Sequence, residues 1–262
     1  MKLTLDNYYS KQANIEYFSV SQFKDFEKCE LYGLKKALGE YEEEKSKALL
    51  VGGYVDAYFS NRLDQYKSEN PQIFKKDGTL LKDFEKANEI IKCIENDKFF
   101  MEHIKGDTQV ILTGEINGVP FKGALDFLNT RIVDLKCVAS IREPVWVEEN
   151  GKRFTKDFIS AYGYDLQLAV YQELVKQTYG VILPCDIAAV SKEDEPDKAI
   201  INIESEYLKP KLDYVKEKVV RFNEIKKGNI KPIGCGNCPV CRKYNKLNHI
   251  ISYKDFKGDN ND

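Results

Sequence analysis

Asp126, Asp134 and Lys136 are the residues whose types and spacing first suggest chemistry. Asp134 and Lys136 stand two apart in Ile132-Val133-Asp134-Leu135-Lys136, so on a strand both side chains leave one face. The apolar Ile132 and Val133 start that strand in a core, and the two charges come at its end. Asp126 closes Gly123-Ala124-Leu125-Asp126 just upstream, and a hairpin between the two segments brings the carboxylates together. Two adjacent carboxylates are unfavourable without a cation, and hard oxygen donors suit Mg²⁺ or Mn²⁺. The carbonyl of Leu135 is a further oxygen ligand in this reading. A neighbouring ammonium steadies developing negative charge or helps activate a water. The chemistry described is metal-assisted hydrolysis. An Asp-x-Lys tripeptide alone is common and reads equally as an exposed charge pattern, so its context has to decide.

A second set lies near the C-terminus. Cys235-Gly236-Asn237-Cys238-Pro239-Val240-Cys241 spaces three thiols so that they can converge on one ion or cluster. Cys29, in Phe26-Glu27-Lys28-Cys29, is the candidate fourth ligand. Without metal the run is a cysteine-rich turn. Cys93, Cys137 and Cys185 sit in apolar stretches and read as core thiols. Glu115 is either a further acid near the site or, more simply, a solvent-facing strand residue. His103 and His249 have no motif around them and read as surface or packing residues.

The elements that must position these groups follow from periodicity. Ser19 and Ser21 precede the helical spacing of Phe23, Phe26 and Leu31 and mark a helix start. Glu40 to Lys47 is a solvated charge run. Helices are expected over residues 48–66 and 81–104. The period then changes to two. Residues 110–116 and 119–127 alternate around Asn117-Gly118, a strong hairpin turn signal. A third strand covers 131–138, and Asn150-Gly151 suggests a surface hairpin flanked by Trp146 and Phe154. A helix over 161–179, strands at 185–190 and 199–203 and a long helix through Leu208, Val215 and Phe222 complete the pattern. This is an α/β order with a mixed central β-sheet flanked by helices.

The 262 residues suffice for one large domain, and neither repeat nor linker divides residues 1–262. The cysteine-rich tail, about residues 229–246, is expected to pack on that domain with the N-terminal helices. Net charge is −2 and the pI about 5.9, so a nucleic-acid partner would need a local basic patch. No apolar run approaches the ~20 residues that span a bilayer, and Met1 to Ser10 has no signal-peptide core. A cytoplasmic place without a membrane partner is therefore expected, where cysteines are free thiols or metal ligands.

Gly123-x-x-Asp126, Asp134-x-Lys136 and the downstream Gln167-Leu168-Ala169-Val170-Tyr171, in that order, resemble the core of RecB-type nucleases of the PD-(D/E)XK superfamily. The resemblance is nearest to the phage-type exodeoxyribonucleases and covers about residues 19–245. It implies a restriction-endonuclease-like core and divalent-metal-dependent hydrolysis of DNA, set in recombination or DNA processing in the family's manner of working from an end.

The same resemblance implies roles. Asp126, Asp134, Lys136 and Gln167 would be catalytic, and Asp56, Asp126, Asp134 and Leu135 would hold the metal. Gln167 and Tyr171, at i and i+4 on one helix face, would reach the site or the DNA backbone. Gly52-Gly53-Tyr54-Val55-Asp56 takes the place of a Gly-rich helix start, with Asp56 where the family usually has His. An aspartate is still a hard ligand, so metal binding survives that departure. A recombination partner protein and an oligomer belong to the same set of expectations.

Some nucleases of this superfamily hold an iron–sulfur cluster with one N-terminal and three C-terminal cysteines, and Cys29, Cys235, Cys238 and Cys241 are similar. The last gap is shorter here, which leaves a 4Fe–4S cluster, a zinc ion or no metal as the alternatives. The role would be structural, tying the tail to the first helix. Two competing functions are a nuclease fold with a weakened site that only binds DNA or a protein, kept open by Asp56, and an unrelated cluster-binding redox protein.

Overall fold

The computed structural model describes residues 2–149, 151–247 and 250–253. Asn150, half of one expected turn, and His249 lie outside the described residues. Strands β1 (Asp107–Ile116) and β2 (Val119–Leu128) form the expected hairpin. Asn117 and Gly118 turn it with φ of 51° and 74°, the positive pair that the favoured two-residue hairpin turn requires.

β3 (Ile132–Val138) runs antiparallel to β2, and β6 (Cys185–Ser191) runs parallel to β3. β7 (Lys198–Ile203) returns antiparallel to β6, giving one sheet in the order β1-β2-β3-β6-β7. A parallel pair needs a long crossover. Here it carries a separate hairpin, β4 (Val145–Glu149) with β5 (Lys152–Lys156), then α8 (Phe158–Tyr162) and α9 (Tyr164–Tyr179). The fold is a mixed α/β sheet flanked by helices, as the pattern of periods implies.

Two apolar layers cover the sheet. On one face, α9 (through Leu168, Val170 and Leu174), α2 (Val20–Lys28) and α10 (Ser205–Lys226) pack against Leu112, Phe121 and Ile132. On the other, α4 (Lys47–Phe59), α6 (Lys86–Glu95) and α7 (Lys98–His103) pack against Phe127, Val133 and Leu135. The successive residues Ile132 and Val133 thus enter opposite layers, the period-two signature of a strand covered on both sides.

Several helices expected as single rods are broken. Residues 48–66 divide into α4 and α5 (Leu63–Glu69) around Asn61, whose φ is 56°. Residues 81–104 become a 3₁₀ turn (Lys82–Phe84), α6 and α7, the last capped by Asp97 accepting from the Phe100 amide at 3.0 Å. Gly163 at φ 62° separates α8 from α9. Ser19 caps α2 as expected, but Cys29 stands in extended conformation between α2 and α3 (Glu30–Ala37). Short α1 (Lys11–Glu16) and α11 (Pro239–Tyr244) carry too few periodic residues to be read in advance.

Candidate active site

β2 and β3 pair through Leu128 with Ile132 and Phe127 with Val133. Continuing that register by one residue sets Asp126 opposite Asp134, where the ladder ends. Asp126 Oδ2 takes over the freed backbone donor, accepting from the Leu135 amide at 3.0 Å. Strict alternation also fails at this point: Leu125 packs in the α9 layer and Phe127 in the α4 layer. Across from Asp126, Gln109 on β1 adopts φ 52°, and its pairing with Asp126 is absent from an otherwise continuous register. A non-glycine residue in the left-handed region is a feature that clusters at functional sites.

Asp134 is 1% exposed. Its Oδ1 accepts from Gln167 Nε2 at 2.9 Å. Its Oδ2 lies 2.5 Å from Lys136 Nζ, an ion-pair contact outside hydrogen-bond alignment, so this oxygen is buried without a hydrogen bond. Burial pulls the Lys136 ammonium toward its neutral form, but Asp134 and Asp126 outweigh that and hold its pKa above the ordinary lysine range. The ammonium also sits 5.1 Å over the Tyr164 ring. Burial, then the charges of Asp134 and Asp56, push the Asp126 carboxyl well up.

Asp56 comes from α4, which packs on β3 with Gly52 facing the Cys137 side chain. Its carboxylate accepts from Arg62 Nη2 at 2.8 Å and from Gln109 Nε2 at 3.2 Å. Burial nevertheless raises its pKa, against the pull of Arg62. Asp56, Asp126, Leu135 and Lys136 line one cleft of about 780 Å³, together with Tyr9 and Lys192.

The donor set fits a divalent cation. The donors are hard oxygens, burial followed by the charges of Asp134 and Asp56 drives the Asp126 carboxyl toward neutrality, and the buried Asp134 Oδ2 has the Lys136 ammonium beside it. Asp56 stands apart in one respect, because it is already neutralised by Arg62.

Of the other expected residues, Tyr171 is 8% exposed. Its hydroxyl accepts from Gln167 Nε2 at 3.1 Å, and its ring lies where a Cβ on Gly123 would come within 3.0 Å. That contact explains why glycine occupies position 123. Gln167 therefore reaches a carboxylate of the site rather than open groove. Glu115 is exposed at the far, hairpin end of β1 and takes no part in this cleft. His103 is no plain surface residue, since its Nε2 lies 2.7 Å from buried Asp186. Cys185 is a core thiol and Cys93 a half-buried one, whereas Cys137 lines the cleft, its thiol pushed up to about 12 by burial.

Sequence reasoning missed Gln109, Arg62, Lys24, Lys192 and Tyr164. Lys24 on α2 donates to the Tyr162 carbonyl at 2.7 Å, and burial followed by repulsion from Lys136 brings its pKa down to about 8. Lys24, Lys136 and Lys192 supply local positive charge that a chain with net charge −2 does not advertise. No spacing signal ties any of these residues to the site, although Tyr164 lies on the apolar stripe of the helix expected over 161–179.

The second site is formed as expected. Cys29, Cys235, Cys238 and Cys241 place their sulfurs within 4.8 Å of one another, and among the described residues they are the one such group of potential ligand atoms. Backbone amides of Cys235, Cys238 and Cys241 donate to the sulfurs of Cys29, Cys235 and Cys238, each at 3.3 Å. Amides of Asn237 and Cys238 draw the Cys235 thiol down to about 6, toward the thiolate a metal requires.

Among known proteins, the profile of the family described as a PDDEXK-like domain of unknown function (DUF3799) matches residues 19–244. No curated protein sequence matches the chain. A crystal structure titled "Putative exonuclease" from Eubacterium rectale is 44% identical, covers 99% of each chain and superposes with a TM-score of 0.91.

Proposed function

This chain belongs to the PDDEXK-like domain family, and from that premise we propose that it is a divalent-metal-dependent deoxyribonuclease, acting from DNA ends in phage-type recombination or DNA processing. The observation that carries the reading is the convergence of Asp126, Asp134 and Lys136 at the point where β2 and β3 part. Asp126, Asp134 and the Leu135 carbonyl would hold Mg²⁺ or Mn²⁺, with Asp56 as the third carboxylate. Bound there, the ion would supply Lewis-acid activation of a phosphate oxygen and a more acidic water.

The chain's own groups do the rest. Lys136 stays charged and is held by Asp134, so its ammonium is available to an attacking water or to charge developing on the phosphate. Gln167 fixes the Asp134 carboxylate through Oδ1 and leaves Oδ2 toward Lys136. Lys24 and Lys192 add positive charge for a polyanion. The thiolate centre would be structural, joining the tail to the break between α2 and α3. A cytoplasmic location, an oligomer and a recombination partner remain part of this proposal. No helix among the described residues is long and apolar enough to cross a membrane.

One observation favours a second reading, a weakened site that binds without cutting: the Asp56 carboxylate is already paired with Arg62 at 2.8 Å. End-labelled linear and closed circular DNA, incubated with Mg²⁺, Mn²⁺ or EDTA, decides between them. Loss of label from linear DNA alone, abolished by EDTA, is expected. Binding without cleavage under any metal would overturn the enzyme in favour of the binding module.

A further inference from the structure

Of the alternatives the resemblance leaves open, the four-cysteine site does not fit the 4Fe–4S cluster, and we propose that it binds a single tetrahedral zinc ion. Size decides the matter. Four thiolates around one ion at ~2.3 Å, with tetrahedral angles, stand ~3.8 Å from each other. In a 4Fe–4S cluster each thiolate binds a different iron, and the cluster's own width holds the sulfurs roughly 6 Å apart.

Here Cys29 Sγ lies 3.5 Å from Cys241 Sγ, and Cys235 Sγ lies 3.9 Å from Cys241 Sγ. These distances bracket the edge expected around one ion. All four sulfurs fall within 4.8 Å of one another, which leaves no room for eight cluster atoms between them.

The surrounding backbone keeps the site small. A Cβ on Gly234 would come within 2.9 Å of Cys241 Sγ, so the chain packs directly against the ligand. Cys235 and Cys238 are joined by an amide-to-sulfur bond, as are Cys238 and Cys241, and this tightens both short loops. Cys29, Cys238 and Cys241 are buried beside Tyr32 and Val240. Widening the site to cluster size would force these contacts apart. A closed set of four thiolates, with no open position, is the arrangement of a structural zinc site. Zinc carries no redox chemistry, so the centre ties Cys29 to the tail and moves no electrons.

The test is metal and sulfide analysis of the full chain purified without oxygen from cells supplied with both iron and zinc. One zinc per chain, no acid-labile sulfide and a colourless protein are expected. Four irons with sulfide and absorbance near ~400 nm would overturn the proposal. One iron without sulfide would overturn the choice of zinc, and a chain that neither carries nor takes up zinc would overturn the site. Cys235→Ser, at the exposed ligand, should lose at least tenfold in zinc affinity by chelator competition while keeping its far-ultraviolet circular dichroism. Unchanged affinity in that variant also counts against the site. None of these readouts depends on DNA cleavage.

Discussion

Gln167 and Asp134 are joined by a 2.9 Å hydrogen bond that leaves one carboxylate oxygen, Oδ2, facing Lys136. In the proposed mechanism the amide positions the acid and the ammonium acts on the reacting phosphate. The two residues should therefore fail differently. Lys136→Ala is expected to lower single-turnover cleavage by about 10²–10³-fold or more while DNA affinity in Ca²⁺ stays near the parent value. Gln167→Ala should lose less, because Asp134 keeps its place on β3. Parental cleavage by Lys136→Ala would remove Lys136 from the catalytic assignment.

Gln109 gives a second prediction. Its side chain donates to Asp56 at 3.2 Å while its backbone sits at φ 52°. Gln109→Gly removes the hydrogen bond but tolerates the backbone, so the fold should hold. A group that orients a ligand typically changes metal affinity by about 10–100-fold. The Mg²⁺ concentration for half-maximal cleavage should rise by that factor, with the parent's far-ultraviolet circular dichroism retained. An unchanged Mg²⁺ dependence would show that Asp56 needs no support from β1.

The strands that carry Asp126 and Asp134 were legible because both apolar layers write their period into the residues, and Asn117-Gly118 fixes the hairpin between β1 and β2. The four cysteines were legible because short-range spacing reflects a shared centre. The helix breaks at Asn61, Asp97 and Gly163 were not, because apolar spacing continues across them and tertiary packing decides where each rod turns. Gln109 and Arg62 were hidden for another reason. Their roles arise from contacts with Asp56 that local sequence does not encode, and a positive φ at glutamine leaves no compositional trace.

Away from the cleft, Asp186 predicts stability. It is fully buried and accepts from Arg131, from Asn202 at 2.7 Å and from His103 Nε2, also at 2.7 Å when that nitrogen carries the proton. Burial alone would raise its carboxyl pKa, but Arg131, Asn202 and His103 bring it below the usual carboxylate value. A carboxyl whose pKa is lowered on folding adds stability above its unfolded pKa of ~3.9 and loses it as pH falls through the lower folded value. Asp186→Ala should cost about 3 kcal/mol in urea unfolding at neutral pH, the low end for breaking a buried pair because Arg131 is one-third exposed. It should also flatten the acid limb of the stability curve. A loss under about 0.5 kcal/mol, the scale of an ordinary surface substitution, would remove the network as a source of stability.

Lys226 anchors the N-terminal segment that brings Tyr9 to the cleft. Its ammonium donates to the carbonyls of Asn14 and Tyr17 at 2.9 and 2.8 Å and to Gln22 Oε1 at 3.2 Å, and it lies 4.0 Å over the Phe18 ring. Lys122, 1% exposed, donates to the Tyr8 carbonyl and to Asn14 Oδ1 at 2.8 Å. Burial, then the charge of Lys122, brings the Lys226 pKa down to about 7, and burial brings Lys122 to about 8. In the unfolded chain both lysines titrate near ~10.4. Between those values the unfolded state binds more protons, so stability should rise from about pH 7 toward pH 10 and fall back as pH drops through 7. Cysteines of the unfolded chain also titrate in that window, and a variant isolates the lysine. Lys226→Met removes the lysine proton and keeps the apolar stem, so its stability should rise less steeply over the same range. It also deletes three hydrogen bonds, so amides of residues 11–17 should exchange faster with solvent at pH 7. Parallel stability curves for parent and variant, with unchanged exchange over residues 11–17, would show that Lys226 neither titrates in this window nor holds the segment.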